Sequence, residues 1–452
     1  MPQNRAIPEL QKDLDDISSA IDAQQAILHA LFIKRSETRR RLNFLLDPMA
    51  RLPLEIQSHI FLCVDSDRNP PNSNPKPNHQ SPPMLFLAVC QLWRGIALSI
   101  PNLWASLWID LVARRPSHFE LCELWLKSAR SLPLSITLHG SLQLDQIVED
   151  FLAQYSHQFQ SLTLRVLRNN VMRPWFTWKI SEGSLSSLKT LSIEPVHFHA
   201  FYGNIGEWLG ILRTAPGLSY CKMVNTFNQE EQEANILPSQ PLMLASLECM
   251  HLGERGALNL QGDMGSNSLA ILQYLTLPAL KILTLSEPDI ADEAFLSFFS
   301  SSSPPLESLE MTLPHQAPWP DTIVSRFLRL VPMLTMLDLS AALRYHELDL
   351  FLPFVDILGS SSEVLPHLRA IVFHTDTAVT IHYNSVLSML RFRFTLCPTR
   401  LELFELRFGE FVYPDYTHDL QNGLPNEEVR VGLQQLVRDG LKIHIGRTEN
   451  LL

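Results

Sequence analysis

The residues that could do chemistry are scattered along the chain, and none has a spacing typical of a catalytic or metal site. The six cysteines include no CxxC pair, so the sequence indicates neither a zinc site nor a disulfide framework. His197 and His199 alternate on a strand-like run, but no cysteine or carboxylate stands at ligand spacing from them. Phosphate-binding glycine loops, GxSxG and HExxH are all missing. We therefore expect no enzyme activity, no cofactor and no bound metal.

Charge and hydropathy narrow the classes of partner. The 452 residues include 36 basic and 47 acidic side chains, for a net charge of −11 and a pI of about 5.8. A general nucleic-acid binder needs a basic face, so we expect no nucleic-acid partner. The first residues lack the apolar core of a signal peptide, and no apolar run approaches the ~20 residues that span a bilayer. We expect no membrane association and a cytoplasmic or nuclear location.

Residues 1–47 follow a heptad pattern. Apolar side chains recur in alternating steps of four and three, at Leu10, Leu14, Ile17, Ile21, Leu28, Leu31, Leu42 and Leu45, with Gln24, Arg35 and Thr38 in the remaining positions of the series. This pattern predicts one long amphipathic helix that ends at Asp47-Pro48. Two alternatives stay open: a coiled coil through which the chain associates with itself, or a helix folded back on its own body.

Residues 48–110 form the next predicted unit. Pro53 and Glu55 suit the first turn of a helix whose apolar stripe contains Ile56 and Ile60. After a gap, the run from Met84 to Trp93 has only one polar residue and predicts a helix that is apolar on every side. So small a unit cannot easily bury such a helix, which favours a protein partner.

The order of these motifs resembles the F-box. Leu52-Pro53-x-Glu55 precedes Ile60-Phe61, then come Val89-Cys90-x-x-Trp93-Arg94 and Leu103-Trp104. In that family a small helical unit binds a Skp-type adaptor and thereby joins a cullin-RING ubiquitin ligase. The resemblance implies a set of adaptor-facing and core residues: Leu52, Pro53, Ile56, Ile60, Phe61, Val89, Cys90, Trp93 and Trp104.

This unit departs from the family in one segment. The family usually has a short link between its first two helical parts, whereas this chain has residues 65–83, which contain six prolines. That composition predicts a disordered loop. Whether the loop permits adaptor docking stays open at this point.

Residues 111–452 carry a repeated pattern: leucine, two residues, an apolar residue, one residue, an apolar residue. Nine copies run from Phe159-x-x-Leu162-x-Leu164 to Leu401-x-x-Phe404-x-Leu406, about 30 residues apart. Each predicts a short strand, with Leu134–Leu138 opening the sheet and Leu441–Ile445 closing it. Helices are predicted between strands, at 292–299, 321–330, 384–394 and 427–437.

The repeats are similar to leucine-rich repeats, although the asparagine that usually follows the strand is missing. The predicted fold class is α/β: an N-terminal helix and a helical F-box-like unit, followed by an irregular leucine-rich-repeat-like solenoid. If the leucines point inward, the alternate side chains line an exposed wall suited to a protein substrate. Besides Thr163 and Thr284, this wall contains Arg165, Glu194, Lys222, His251, Glu310, Asp338, His374, Glu405 and Arg407.

Together these patterns predict a substrate-recognition adaptor of an SCF-type ubiquitin ligase, with a Skp-type adaptor and cullin complex at one end and an unidentified protein substrate at the other. The alternative is a ubiquitin-independent leucine-rich-repeat scaffold whose helix and solenoid assemble other proteins. For residues 50–109 alone, the alternative is a helical unit that only caps the repeats.

Overall fold

The computed structural model divides into two compact units, residues 1–104 with 128–130 and residues 105–127 with 131–452. It describes residues 3–68, 82–112, 116–140, 146–166, 184–195, 202–203, 205–224, 226–227, 240–253, 268–286, 288–313, 319–341, 350–375, 382–408 and 425–446. His197, His199 and most of the predicted loop (69–81) lie outside the described residues.

The first unit is helical. Its long helix α1 is Gln3–Leu46, followed by a 3-10 turn at Pro48–Arg51, α2 (Leu54–Arg68), α3 (Met84–Val89), α4 (Gln91–Ser99) and a second 3-10 turn at Pro101–Trp104. Helix α1 ends where predicted, because Asp47 adopts an extended conformation before Pro48 and caps the turn through Met49 N–H, 2.9 Å from its Oδ1.

The prediction of one helix from Met84 to Trp93 is wrong. The backbone is extended at Cys90, so the run forms two short helices. Cys90 itself begins α4, since its Sγ accepts a hydrogen bond from Trp93 N–H at 3.5 Å. With this break, Phe86 of the apolar run is buried in the unit, whereas Val89 remains exposed.

An aromatic cluster forms the centre of this unit. The rings of Phe61 and Phe86 stack with centroids 4.2 Å apart, and Trp93 packs against both. Trp104 is fully buried and donates its indole N–H to Ala97 O at 2.8 Å. The core is therefore closed by residues from four consecutive segments.

The second unit is mixed α/β. Within the described residues one large parallel sheet contains twelve strands, paired in chain order. They are β1 (Ser106–Asp110), β2 (Leu134–Gly140), β3 (Phe159–Val166), β4 (Thr190–Pro195), β6 (Tyr220–Met223), β9 (Cys249–Leu252), β11 (Ile282–Ser286), β12 (Ser308–Leu313), β13 (Met336–Ala341), β14 (Ala370–Thr375), β15 (Leu403–Phe408) and β16 (Lys442–Gly446).

Shorter elements connect these strands. Two strand pairs, β5 (Tyr202–Gly203) with β7 (Thr226–Phe227) and β8 (Leu242–Met243) with β10 (Leu275–Thr276), lie outside the large sheet. The helices are α5 (Pro116–Ala129), α6 (Gln146–Tyr155), α7 (Ile205–Thr214), α8 (Glu293–Ser302), α9 (Asp321–Arg329), α10 (Leu352–Ser360), α11 (Tyr383–Thr395) and α12 (Glu427–Arg438).

The repeated leucine pattern forms the core of the sheet. All nine predicted repeat strands pair in one register, in which for example Leu309 faces Leu283 on one side and Leu337 on the other. The inward residues of this pattern are almost completely buried. One prediction needs correction: Leu134–Leu138 does not open the sheet, because β1 pairs with it and precedes it in the strand order.

A row of residues, which we call the entry row, extends the pairing just before six strands of the sheet. From Lys281 onward, each backbone N–H of the row donates to the carbonyl of the preceding member at 2.8 Å. Charges alternate along two stretches, with Lys281 3.3 Å from Glu248 and Arg369 3.1 Å from Glu402. The members in order are Glu248, Lys281, Glu307, Thr335, Arg369 and Glu402.

A buried cation holds the turn after α10. Arg393 on α11 is almost completely inaccessible, and its guanidinium donates to four backbone carbonyls at 2.7–3.1 Å. These carbonyls belong to Leu358, Ser361, Val364 and Leu365, the last of which has a φ of +50°. Because the C-terminal end of a helix is partly negative, a cation is favoured there.

Candidate functional site

Helix α2 presents an apolar stripe on its outer side. Ile56 is 48% exposed, Ile60 is half-buried and Cys63 is exposed, at spacings that place all three on one helix face. The inner face is taken by Gln57 and Phe61, which are buried. The stripe is therefore not required to close the core of its own unit.

Helix α3 also carries an exposed apolar side chain. Val89 is 51% exposed at the end of α3, next to the half-buried Cys90. Trp93 is also half-buried, and its indole N–H donates to Asp47 Oδ2 at 2.9 Å. Asp47 thus fixes both the turn after α1 and the orientation of the Trp93 ring.

The segment before α2 is held by a glutamine. The amide nitrogen of Gln57 donates to Met49 O at 2.7 Å and to Leu52 O at 2.8 Å. These bonds hold the half-buried Leu52 and the exposed Pro53 at the start of the helix. Gln57 is buried because it lies four residues before Phe61, one turn along the same face.

The nine residues expected to bind an adaptor fall into two groups. Phe61 and Trp104 are buried and are the core residues of the set. The other seven, Leu52, Pro53, Ile56, Ile60, Val89, Cys90 and Trp93, are half-buried or exposed. We call the outward apolar group Pro53, Ile56, Ile60, Cys63 and Val89 the α2–α3 surface.

In the second unit, the polar face of the sheet contains two rows of side chains. The inner row runs through the residue between the two leucines of each repeat, and the outer row lies two residues later along each strand. The predicted wall contains residues of both rows. The inner row, in the register of Thr163, contains Lys222, His251, Thr284, Glu310, Asp338 and Glu405. The outer row contains Arg165, Glu194, His374 and Arg407.

Ion pairs bring several of these residues together. The Glu194 carboxylate lies 3.5 Å from Arg165 Nε and 3.3 Å from Lys222 Nζ, and it accepts a hydrogen bond from Ser192 Oγ at 3.1 Å. The Arg165 guanidinium also lies over the Trp108 ring, 5.1 Å from its centroid. This end of the polar face is an aromatic and charged cluster on β1 to β6.

His251 occupies the middle of the inner row. Burial, together with the charge of Lys222, lowers the pKa of His251 below its ordinary value, so the ring is neutral at neutral pH. Its Nε2 lies 3.1 Å from the Sγ of Cys249, and burial raises the pKa of that thiol to about 11. The pair is therefore an uncharged contact rather than a reactive thiolate.

The far end of the polar face is acidic. Glu310 and Asp338 are direct cross-strand neighbours, and Glu405 continues the inner row two strands away from Asp338, beyond Val372. Asp338 is buried and lies 3.5 Å from His374 Nε2, while Glu405 pairs with Arg407. Three carboxylates thus follow the inner row between β12 and β15.

Several residues of these surfaces were not found from the sequence. Asp47 and Gln57 position the α2–α3 surface, and Ser192 and Val372 belong to the inner row. The heptad-like spacing to Phe61 could have identified Gln57 as buried. Asp47 gave no such signal, because its partner Trp93 is 46 residues away.

The described part of the chain holds no cluster of three metal-ligating side chains and no helix long and apolar enough to span a membrane. A shallow groove of about 750 Å³ runs along α9 and α10. Burial and the nearby Asp321 raise the pKa of Asp356 in this groove. No protein-family model matches the chain, and no curated protein matches it significantly.

Proposed function

We propose that the chain is the substrate receptor of an SCF-type ubiquitin ligase. In this proposal the α2–α3 surface docks a Skp-type adaptor, which links the chain to a cullin complex, and the polar face of the sheet binds a protein substrate. The single observation that carries the proposal is the outward position of Ile56, Ile60 and Val89 over a core that is already closed.

Burial in the helical unit supports the docking step. Aliphatic side chains that stay in water contribute little to the stability of their own unit, whereas covering them releases roughly 25 cal/mol for each Å² of apolar surface. Ile56 and Val89 each remain about half exposed, beside an aromatic core that is complete without them. A partner with an apolar groove is the chemistry that fits this surface.

The sheet supports the second step. We interpret the regular order of parallel strands, one for about every 30 residues, as an irregular leucine-rich-repeat-like solenoid. Its polar face changes from an aromatic and charged cluster near Trp108 to three carboxylates near Asp338. Such a graded face suits a protein substrate, with a basic segment over the carboxylates.

The mechanism in this proposal is positioning. A substrate held on the same complex as the ligase is presented to ubiquitin at a high effective concentration, so no catalytic residue of this chain is needed. Both contacts then contribute specificity rather than chemistry.

The test is co-purification of the full chain with a purified Skp-type adaptor. We expect a complex with one adaptor for each chain, which Ile56→Asp and Val89→Asp each weaken by at least about tenfold, because each places a charge in the apolar contact. Val437→Asp, on the exposed side of α12, is the matched control and should bind normally. Circular dichroism checks that each variant is folded.

Two results would count against the proposal. One is that the intact chain forms no complex with the adaptor. The other is a complex that tolerates both charged substitutions. Either would favour a ubiquitin-independent scaffold, in which the helical unit serves only as part of the fold.

A further inference from the structure

Helix α1 leaves its whole heptad series uncovered in the single chain. We call the eleven positions from Leu10 to Leu45 the seam. Eight are Leu or Ile, and all eight are 50–67% exposed. Soluble monomers rarely expose so continuous an apolar stripe, and a helix folded back on its own body would cover it. The occupant of the seam therefore comes from another chain.

The polar members of the seam argue against a parallel pair of α1 helices. In a parallel coiled coil each seam residue meets its own copy, so Arg35 would lie against the second copy's Arg35 in the interior. Lys34 and Arg39 flank the seam at positions that face each other in that arrangement, adding two further like-charge contacts. Repulsion inside a dehydrated seam is poorly screened by salt.

An antiparallel pair removes these conflicts. When Leu28 of one copy faces Leu31 of the other, Leu14 faces Leu45 and Ile17 faces Leu42. In the same register Arg35 meets Gln24, a side chain whose amide oxygen accepts hydrogen bonds from a guanidinium. Arg35 and Gln24, two of the three polar residues of the seam, then form hydrogen bonds with each other. The third, Thr38, faces Ile21.

The charge distribution favours the same direction. Residues 9–22 hold five acidic side chains and one lysine, for a charge of −4, and residues 34–41 hold five basic side chains and one glutamate, for +4. In the antiparallel register residues 9–22 lie opposite residues 37–50 of the other copy and overlap its basic segment at 37–41, whereas parallel helices place like charges directly opposite each other. Packed helices lie about 10 Å apart, which is about one Debye length in cells, so the effect is reduced by salt but not abolished.

We propose that α1 forms an antiparallel coiled coil with α1 of a second copy of this chain, centred between His29 and Ala30. A helix of 44 residues is about 66 Å long, so the residues that follow Leu46 in the two copies leave opposite ends of the coiled coil. This proposal does not depend on the adaptor, because it concerns only the purified chain.

The first experiment measures the mass of the full chain by sedimentation velocity at micromolar concentration. We expect a dimer. Leu31→Glu should weaken it by at least about 100-fold, since symmetry disrupts two Leu28–Leu31 layers at once. Ile33→Glu is the matched control: Ile33 is 50% and Leu31 58% exposed, but Ile33 lies outside the seam. A monomeric parent chain, or equal effects of both variants, would overturn the proposal.

The second experiment determines direction by disulfide crosslinking. In a background with the exposed Cys63 replaced by serine, Leu14→Cys and Leu45→Cys chains are oxidised separately and as a mixture. An antiparallel dimer gives the crosslinked species only in the mixture, because Leu14 of one copy is far from Leu14 of the other. Crosslinking of Leu14→Cys with itself would show a parallel pair, and would overturn the proposal even if the chain is dimeric.

Discussion

Strand β12 and helix α2 both carry apolar residues at regular spacing, yet these residues differ in burial. Leu309 in β12 is fully buried, whereas Ile56 in α2 is half exposed. In the sheet, each apolar strand residue is enclosed by equivalent residues of two neighbouring strands. Among the residues that the structure describes, helix α2 has no such neighbours on its outer side. Periodicity thus identifies which residues share a face, while the number of neighbouring elements decides whether that face is covered.

We expect the largest effect from Arg393→Met. This variant tests whether the hydrogen bonds of a buried polar side chain stabilise the sheet unit. The substitution leaves four backbone carbonyls without their donor, and we expect it to lower the free energy of unfolding by about 3–5 kcal/mol. Urea unfolding followed by circular dichroism measures this. Arg391→Met, two residues away on α11, is the control; a loss of less than about 1 kcal/mol for Arg393→Met would contradict the structural role.

Truncation of one apolar side chain in each unit tests the comparison directly. Leu309→Ala removes buried methyl groups and should cost about 3 kcal/mol, whereas Ile56→Ala should change stability by less than about 0.5 kcal/mol. The same urea titrations compare the two. If Ile56→Ala proved as damaging as Leu309→Ala, the outward stripe of α2 would have to be part of a core.

Gln57→Leu probes how the helical unit holds its apolar surface. The variant keeps the size of the side chain but leaves the carbonyls of Met49 and Leu52 without their shared donor. We expect a loss of about 1–2 kcal/mol in the free energy of unfolding. In addition, adaptor binding should weaken, because Leu52 and Pro53 lose their fixed position. Gln91→Leu, at an exposed site on α4, is the control and should leave both properties unchanged.

The smallest effect concerns pH and the polar face of the sheet. The pKa of His251 is lowered in the folded chain, so below about pH 6.5 the unfolded chain binds more protons. The contribution of a neutral His251 is complete at neutral pH and declines as the pH falls through that range. We expect His251→Gln to reduce the loss of stability between pH 7 and pH 5, measured by urea midpoints. An unchanged pH dependence would contradict this assignment, and His157→Gln, at an exposed site, is the control.

Much of the sheet was predictable because its information is local. The leucine pattern identified nine strands, the closing strand and the approximate bounds of α8, α9, α11 and α12. Each strand needs only the pattern of its own repeat to find its inner face. Strand β1 was missed because its sequence lacks that pattern and it becomes a strand only by pairing with β2.

The helical unit was less predictable because its geometry depends on distant contacts. The break at Cys90 is a backbone feature that the apolar composition of residues 84–93 conceals. The burial of Phe61 and Trp104, and the exposure of Ile56, follow from how α2, α3 and α4 meet. The motif therefore selected residues of one helical unit but could not separate those that hold the unit together from those left on its surface.

The entry row has a consequence for how the sheet assembles. Strands of similar sequence could pair in the wrong order, so that one strand is omitted from the sheet and its two neighbours pair with each other. If β11 were skipped, Glu248 would stand beside Glu307. This mispairing brings like charges together, which is unfavourable across adjacent strands. The alternating charges of Glu248, Lys281 and Glu307 thus favour the order β9, β11, β12 and discourage the omission of β11 while the chain folds.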